Sequence, residues 1–403
     1  MKVWFWSSIA AELGFLMYFK YADFFIENVN RITGWSIPLL RVLLPVGISF
    51  YTFQIISYLV DVYRGTVEPQ RNFIDFAMYV CLFTQLVAGP IIRYTDITGQ
   101  LRNRKTELED VRIGIRRLIL GLSKKVLLAD SLGEFCQTMR TSAEPSVLFL
   151  WLSAIAFTLQ IYFDFSGYSD MAIGLGRIFG FHFPENFRYP YCAESITDFW
   201  RRWHISLGAW FRDYIYIPLG GNRCRTGKWI CNILIVWLLT GFWHGAEWNF
   251  VIWGLFFAVV LVLEKLVRAY GSREEQNGKV QKGGRKLLSH VYVLFLVILS
   301  FVIFQESDFV QLGNILSGMF GFGHLPLFSP ETWYYLRSFA LLFLLGVIGC
   351  TPLAKKIAEL LKQRNWGRTI VNIAEPFIMI GLLLVSTSYL VDGSYHPFLY
   401  FRF

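Results

Sequence analysis

Charge is scarce in this chain. Only 17% of its 403 residues are Asp, Glu, Lys or Arg, whereas ordinary soluble domains carry roughly a quarter. Cysteine is also scarce: six residues stand at 81, 136, 192, 224, 231 and 350, and none forms a CxxC pair. That spacing excludes a disulfide framework and a cysteine-built metal site. The glycine loop of a nucleotide phosphate cradle, GxSxG and HExxH are all missing, which removes P-loop, nucleophile-elbow and zincin chemistry. Internal repeats and low-complexity linkers are absent too. The opening Met-Lys-Val-Trp-Phe-Trp has one cation and an apolar run but no small-residue cleavage site, so it reads as a retained helix.

What is abundant is apolar surface. Hydrophobic residues make up 55% and aromatics 18%, with a mean hydropathy of +0.44. The apolar residues come in blocks at 3–19, 37–60, 73–92, 146–163, 229–243, 250–263, 288–305, 334–350 and 370–391, with less uniform segments at 111–135 and 165–182. A helix of about 20 apolar residues crosses a bilayer. Lipid leaves an open backbone no other solution than helix. The expectation is an all-α polytopic membrane protein: one domain over 1–403, with roughly nine to eleven helices. The 14 Trp, 20 Tyr and 38 Phe suit interfacial belts and equally a bundle built around a ligand tunnel.

The net charge of +9 reads as basic cytoplasmic loops, with the lipid bilayer and no nucleic acid as partner. Polar stretches lie at 93–125, 184–228, 264–286 and 355–368. Charge bias then puts 265–286 and 355–368 inside and 306–333 outside, and makes 392–403 an extracytoplasmic C-terminal tail. The two apolar runs between the basic flanks 223–228 and 264–286 hold about 15 residues each. At 1.5 Å per residue that is roughly 22 Å, short of a roughly 30 Å core. The length predicts a re-entrant hairpin over 229–263, its polar tip His244-Gly-Ala-Glu-Trp-Asn249 buried in protein or lining a wet cavity.

An ionisable residue at membrane depth is expensive and marks function by default. That singles out His244, since histidine moves protons near neutral pH; Glu247 and Asn249 would orient it or cap the next helix. His204 is the second candidate. Ser195-Ile-Thr-Asp198 fits a capping box, and Trp200, His204, Leu207 and Phe211 then share one helical stripe over the cytoplasmic-side segment 184–228. For this histidine a packed structural role is an equal reading. Arg201, Arg202 and Arg212 belong to a basic set on the same segment. Such cations suit a phosphorylated donor or serve as plain topology signals. Asp164 and Asp170 read as helix caps.

Several long blocks share an order and spacing with a known family. They are Tyr162-Phe-Asp-Phe-Ser-Gly-Tyr-Ser-Asp-Met-Ala-Ile-Gly-Leu-Gly176, Glu185-Asn-Phe187, Tyr189-Pro-Tyr191, Ser195-Ile-Thr-Asp-Phe-Trp-Arg-Arg-Trp-His-Ile-Ser-Leu207, Arg212-Asp-Tyr214, Pro218-Leu-Gly-Gly-Asn-Arg223 and Gly241-Phe-Trp-His-Gly245. Lys20-Tyr-Ala-Asp-Phe24, Leu44-Pro-Val-Gly-Ile-Ser-Phe-Tyr51, Tyr58-Leu-Val-Asp-Val-Tyr-Arg64 and Ala88-Gly-Pro-Ile91 join them. The chain resembles the bacterial branch of the membrane-bound O-acyltransferases, nearest the membrane subunits of alginate and peptidoglycan O-acetylation.

The resemblance implies a helical rim around a thin centre pierced by a tunnel. His244 would be the central catalytic histidine and His204 the second marked one. Acetyl-coenzyme A would arrive from the cytoplasm as a consumed donor, with no permanently bound cofactor and no metal. An extracytoplasmic transferase of the SGNH type would be a partner, a cell-surface polysaccharide the final acceptor, and the bacterial inner membrane the location. Relatives carry about two further hydrophobic helices ahead of the segment matching Lys20. The ending Phe398-x-Tyr400-x-x-Phe403 resembles the tail of the small partner peptide of teichoic-acid D-alanylation, which implies an acyl relay at Tyr400; an interfacial anchor is the bland reading. Rival functions are D-alanyl transfer from a carrier protein, a proton-coupled transporter, and a catalytically dead scaffold.

Overall fold

The computed structural model describes residues 2–86, 89–142, 144–275, 283–392 and 399. All regular structure among them is helical. In order come α1 (Lys2–Leu16), α2 (Ala22–Thr33), α3 (Ile48–Arg64), α4 (Phe73–Cys81), α5 (Tyr94–Asn103), α6 (Leu108–Ser123), α7 (Ser131–Arg140), α8 (Val147–Ile178) and α9 (Ile196–Trp200). Then follow α10 (Ile205–Phe211), α11 (Thr226–His244), α12 (Trp248–Glu275), α13 (Gly283–Gln305), α14 (Phe309–Met319), α15 (Pro330–Ser338), α16 (Ala340–Gly349), α17 (Leu353–Lys362) and α18 (Asn365–Asp392).

Among the described residues, five helices are long and apolar enough to cross a membrane: α8, α11, the 248–268 part of α12, the 286–305 part of α13, and α18. The pair α15 and α16, bent by 56° at its break, makes a sixth if taken as one span. The apolar runs 37–60 and 73–92 do not become single helices, because α3 starts only at Ile48 and α4 stops at Cys81. Pro38 and Pro45-Val-Gly47 precede the first, and proline and glycine break helices. The outer surface is what a bilayer requires. On α18, Ile370, Phe377, Leu384 and Val391 are all more than half exposed, a contiguous apolar face that water would not tolerate.

The long α8 fuses the apolar run 146–163 with the polar-looking 165–182. Its polar residues are absorbed by α6 and the turn after it. Asp170 receives Arg117 at 2.8 Å and Lys124 at 2.6 Å, and Asp164 pairs with Lys125 at 2.8 Å. Both carboxylates sit inside α8 as ion-pair acceptors, away from its ends. The two helices approach on glycine. A Cβ at Gly114 would lie 2.6 Å from the Gly174 carbonyl oxygen, and one at Gly121 would lie 2.5 Å from that of Gly167. Small residues let helix backbones meet this closely in lipid. The largest core cluster joins α8, α12, α13 and the turn between α9 and α10 through Phe157, Phe163, Trp203, Trp253, Phe301 and Phe304.

The helices α11 and α12 form a tight hairpin. A Cβ at Gly241 would run into the Phe250 carbonyl, and one at Gly254 into that of Trp237. Yet α11 has 19 residues and α12 has 28, because polar residues extend both apolar runs. Nineteen residues reach roughly 28 Å, so the shortness that pointed to a re-entrant hairpin does not hold for the helices as formed.

Candidate active site

His244 is the last residue of α11 and is only 5% exposed. Its ring sits in an aromatic cage, with centroids of Trp243, Trp253 and Phe304 at 5.0, 5.1 and 5.5 Å. Asn249 neither orients this ring nor caps α12: its amide donates to the Phe304 carbonyl at 2.9 Å and ties the hairpin tip to α13. Glu247 is exposed and makes no side-chain hydrogen bond among the described residues. The helix ends without the usual left-handed residue. Gly245 is extended at φ −167°, packed against the Phe250 ring.

His204 departs from the stripe expected of it. Ser195 does cap α9, accepting from the Asp198 N–H at 3.0 Å. The helix stops at Trp200, however, and resumes only at Ile205, with His204 as the residue before α10 at φ +44°. A non-glycine residue in this region is held there by its surroundings. Here the hold is visible. Nδ1 of His204 lies 3.1 Å from Oδ1 of Asn186. The same oxygen accepts from the Ser206 hydroxyl at 2.9 Å and the Ser206 N–H at 3.3 Å, and the Asn186 amide donates to Ser169 at 3.1 Å. Phe165 meets the imidazole edge-on at 4.6 Å. Trp243 touches both histidines, at 6.0 Å from His204 and 5.0 Å from His244.

A cavity of about 470 Å³ opens beside His204. Its lining includes the polar Arg201, Arg212 and Thr197; Leu207, Ile233, Val236, Trp237 and Leu261 supply apolar wall, and Thr240 lines it one helical turn before His244. Two lining residues carry buried polar atoms without a hydrogen-bond partner among the described residues, Nε1 of Trp200 and Nε2 of His204. The three arginines are not equivalent. Arg201 is exposed and makes no ion pair among the described residues. Arg212 pairs with Asp213 at 2.6 Å. Burial raises the Asp213 carboxyl, but hydrogen bonds from Arg212 and Arg93 outweigh it and hold the group below its usual range, so it stays anionic. Arg202 does not line the cavity and pairs with Asp198 at 2.9 Å.

Tyr400 lies outside the described residues. Its neighbour Leu399 is buried in the main core, with its N–H donating to Asp164 Oδ2 at 2.8 Å. Sequence reasoning assigned no role to Asn186, Ser206 or Lys20, and placed Trp200 only in an apolar stripe. All four stand inside the family-like blocks, but an amide, a hydroxyl or a lysine in a block carries no sign of which distant group it meets. No group of three or more metal-ligating side chains occurs among the described residues.

Residues 69–275 match the MBOAT, membrane-bound O-acyltransferase family. A probable alginate O-acetylase AlgI of Pseudomonas putida is 37% identical over 99% of this chain and 84% of its own length. Its Azotobacter vinelandii counterpart is 42% identical over 80% of this chain. A peptidoglycan O-acetyltransferase of Helicobacter pylori is 32% identical over 98% of this chain and 75% of its own length. The matched stretch spans 64% of the Azotobacter protein. With the family matched over the helices that carry both histidines and the cavity, the chain belongs to the membrane-bound O-acyltransferases.

Proposed function

We propose that this chain is a membrane O-acetyltransferase that takes an acetyl group from cytoplasmic acetyl-coenzyme A and passes it toward an extracytoplasmic polysaccharide. The observation that carries the reading is the unpartnered, buried Nε2 of His204 on a cavity that Arg201 and Arg212 also line. Arginine binds phosphate in bidentate fashion, so the two guanidiniums suit the charged end of coenzyme A. The apolar wall suits its pantetheine arm, and Nε2 of His204 would accept a hydrogen bond from an N–H or O–H brought in by the ligands.

In the chemical step His244 acts as general base on the acceptor hydroxyl. The hydroxyl oxygen bonds to the thioester carbonyl carbon, its proton passes to the imidazole, and the carbon–sulfur bond breaks. The imidazolium then returns the proton to the leaving thiolate. The relatives named for alginate and peptidoglycan acetylation support a glycan as final acceptor. A surface transferase of the SGNH type would complete delivery. Leu399 bound to Asp164 supports a tail that belongs to the working body, with Tyr400 as the first acceptor. The chain acts in the bacterial inner membrane, with basic loops inside.

The test is purified protein in lipid nanodiscs with radiolabelled acetyl-coenzyme A, scoring release of coenzyme A and label on the protein or an added glycan. Turnover lost in His244→Ala is expected. A protein that moves protons across vesicles without consuming thioester is a transporter, and one that uses only a D-alanyl carrier protein is the teichoic-acid type; either result overturns the assignment.

A further inference from the structure

The last turn of any α-helix leaves carbonyl groups without partners inside the helix. Many helices satisfy them by a left-handed residue just beyond the end. Helix α11 cannot, since Gly245 is extended. The donors come instead from a segment more than two hundred residues away. The Tyr21 hydroxyl donates to the Phe242 carbonyl at 2.8 Å. The Lys20 amine donates to the Trp243 carbonyl at 2.7 Å and, more weakly, to that of His244 at 3.4 Å. Three successive carbonyls, ending on the histidine itself, are thus held by two adjacent side chains. A lysine at a helix C-terminus is also favoured by the helix dipole.

The donors are themselves fixed. The Lys20 amine also reaches the Ser49 hydroxyl at 3.2 Å, so three oxygens converge on one nitrogen. Tyr21 stacks on Phe242 at 4.1 Å and is 2% exposed. Both residues lie in a π-helical turn, Met17–Tyr21, between α1 and α2; such turns are rare and recur at functional sites. Asp23 holds the following chain, accepting from the N–H groups of Leu40 at 2.7 Å and Arg41 at 2.9 Å.

We infer that Lys20 and Tyr21 are positioning residues: the pair clamps the carbonyl end of α11 and so sets the place of the His244 imidazole. They act through the backbone of α11, ending on that of His244. The kinetic part of this inference rests on the acetyl-transfer reading above; the structural part does not.

The experiment compares Lys20→Met, Lys20→Arg and Tyr21→Phe with the parent in nanodiscs. Amide hydrogen exchange is followed over 238–247, together with kcat and KM for acetyl-coenzyme A. Lys20→Met is expected to exchange faster over this peptide while helices α8 and α13 keep their protection. Its kcat should fall about tenfold, with donor KM within about twofold of the parent. Lys20→Arg, which keeps charge and donors, should recover much of both, and Tyr21→Phe should show a smaller loss. Parental exchange over 238–247 in both Lys20→Met and Tyr21→Phe overturns the clamp, as does a uniform loss of protection across the protein. If Lys20→Met does not fold, Tyr21→Phe and Lys20→Arg decide by the same peptide. If the parent shows no acetyl transfer, the exchange result still stands or falls alone.

Discussion

Nδ1 of His204 faces Oδ1 of Asn186 at 3.1 Å, and this contact fixes which ring nitrogen carries the proton. The Asn186 atom must be its oxygen, because a backbone N–H, that of Ser206, points at it. An amide oxygen only accepts, so Nδ1 is the protonated nitrogen. Nε2 is then left as a lone pair, buried beside the cavity. Replacing Asn186 with Ala should free the ring to flip or change tautomer. The expected loss in kcat is about tenfold, the equivalent of roughly 1.4 kcal/mol. Asn186→Asp keeps an acceptor toward Nδ1 and should be milder. Equal activity in parent and Asn186→Ala, read as coenzyme A release, would remove the tautomer from the argument.

The cavity separates the arginines. Arg201 and Arg212 line it, whereas Arg202 pairs with Asp198 away from it. Charge reversal at Arg201 should raise donor KM by about tenfold, and reversal at Arg212 somewhat less because Asp213 already shares that charge. Arg202→Glu should leave donor KM close to the parent. Added salt should weaken donor binding in the parent and weaken it less in Arg201→Glu. A donor KM that ignores both cavity arginines returns them to the role of topology signals.

The membrane character was legible in the sequence because it resides in long local runs, and those runs became α8, α11, α12, α13 and α18. The burial of His244 within the bundle was legible for the same reason, since an ionisable residue in an apolar run stands out at once. Long-range satisfaction was not legible. Asp164 and Asp170 looked like caps, and only the packing of α6 on α8 shows them as ion-pair acceptors. The break before His204 was hidden because Trp200, Leu207 and Phe211 keep helical spacing on both sides of it. What bends the chain there is Asn186, which lies eighteen residues away and whose partners no local pattern announces.

Gly241 offers a stability test of the hairpin. A Cβ there would meet the Phe250 carbonyl, which belongs to backbone and cannot swing aside. Gly241→Ala should therefore force α11 and α12 apart, at a cost of about 1–3 kcal/mol, and lower the thermal midpoint in detergent. Gly227 lies in the same helix with nothing within 4 Å of its Cβ position. Gly227→Ala should leave the midpoint unchanged or raise it slightly, since alanine is the better helix former. Similar midpoints for the two variants would show that the hairpin does not depend on close approach at Gly241.

Tyr400 decides between an anchor and a relay. Its neighbour Leu399 is buried in the main core and bonded to Asp164, which Lys125 holds at 2.8 Å. An anchor role needs only apolar area, and Tyr400→Phe keeps nearly all of it. A relay needs the phenol oxygen. At an unperturbed pKa of about 10 that oxygen requires a base to become a nucleophile, and the ester it then forms is an activated acyl group that a second transferase can take. Deleting residues 399–403 removes anchor and hydroxyl together and should abolish polymer acetylation in either case. Tyr400→Phe separates the two: the relay predicts loss of polymer acetylation with normal protein levels, together with loss of label on the protein after acetyl-coenzyme A. Polymer acetylation at the parental level in Tyr400→Phe would leave the tail as an anchor and end the relay.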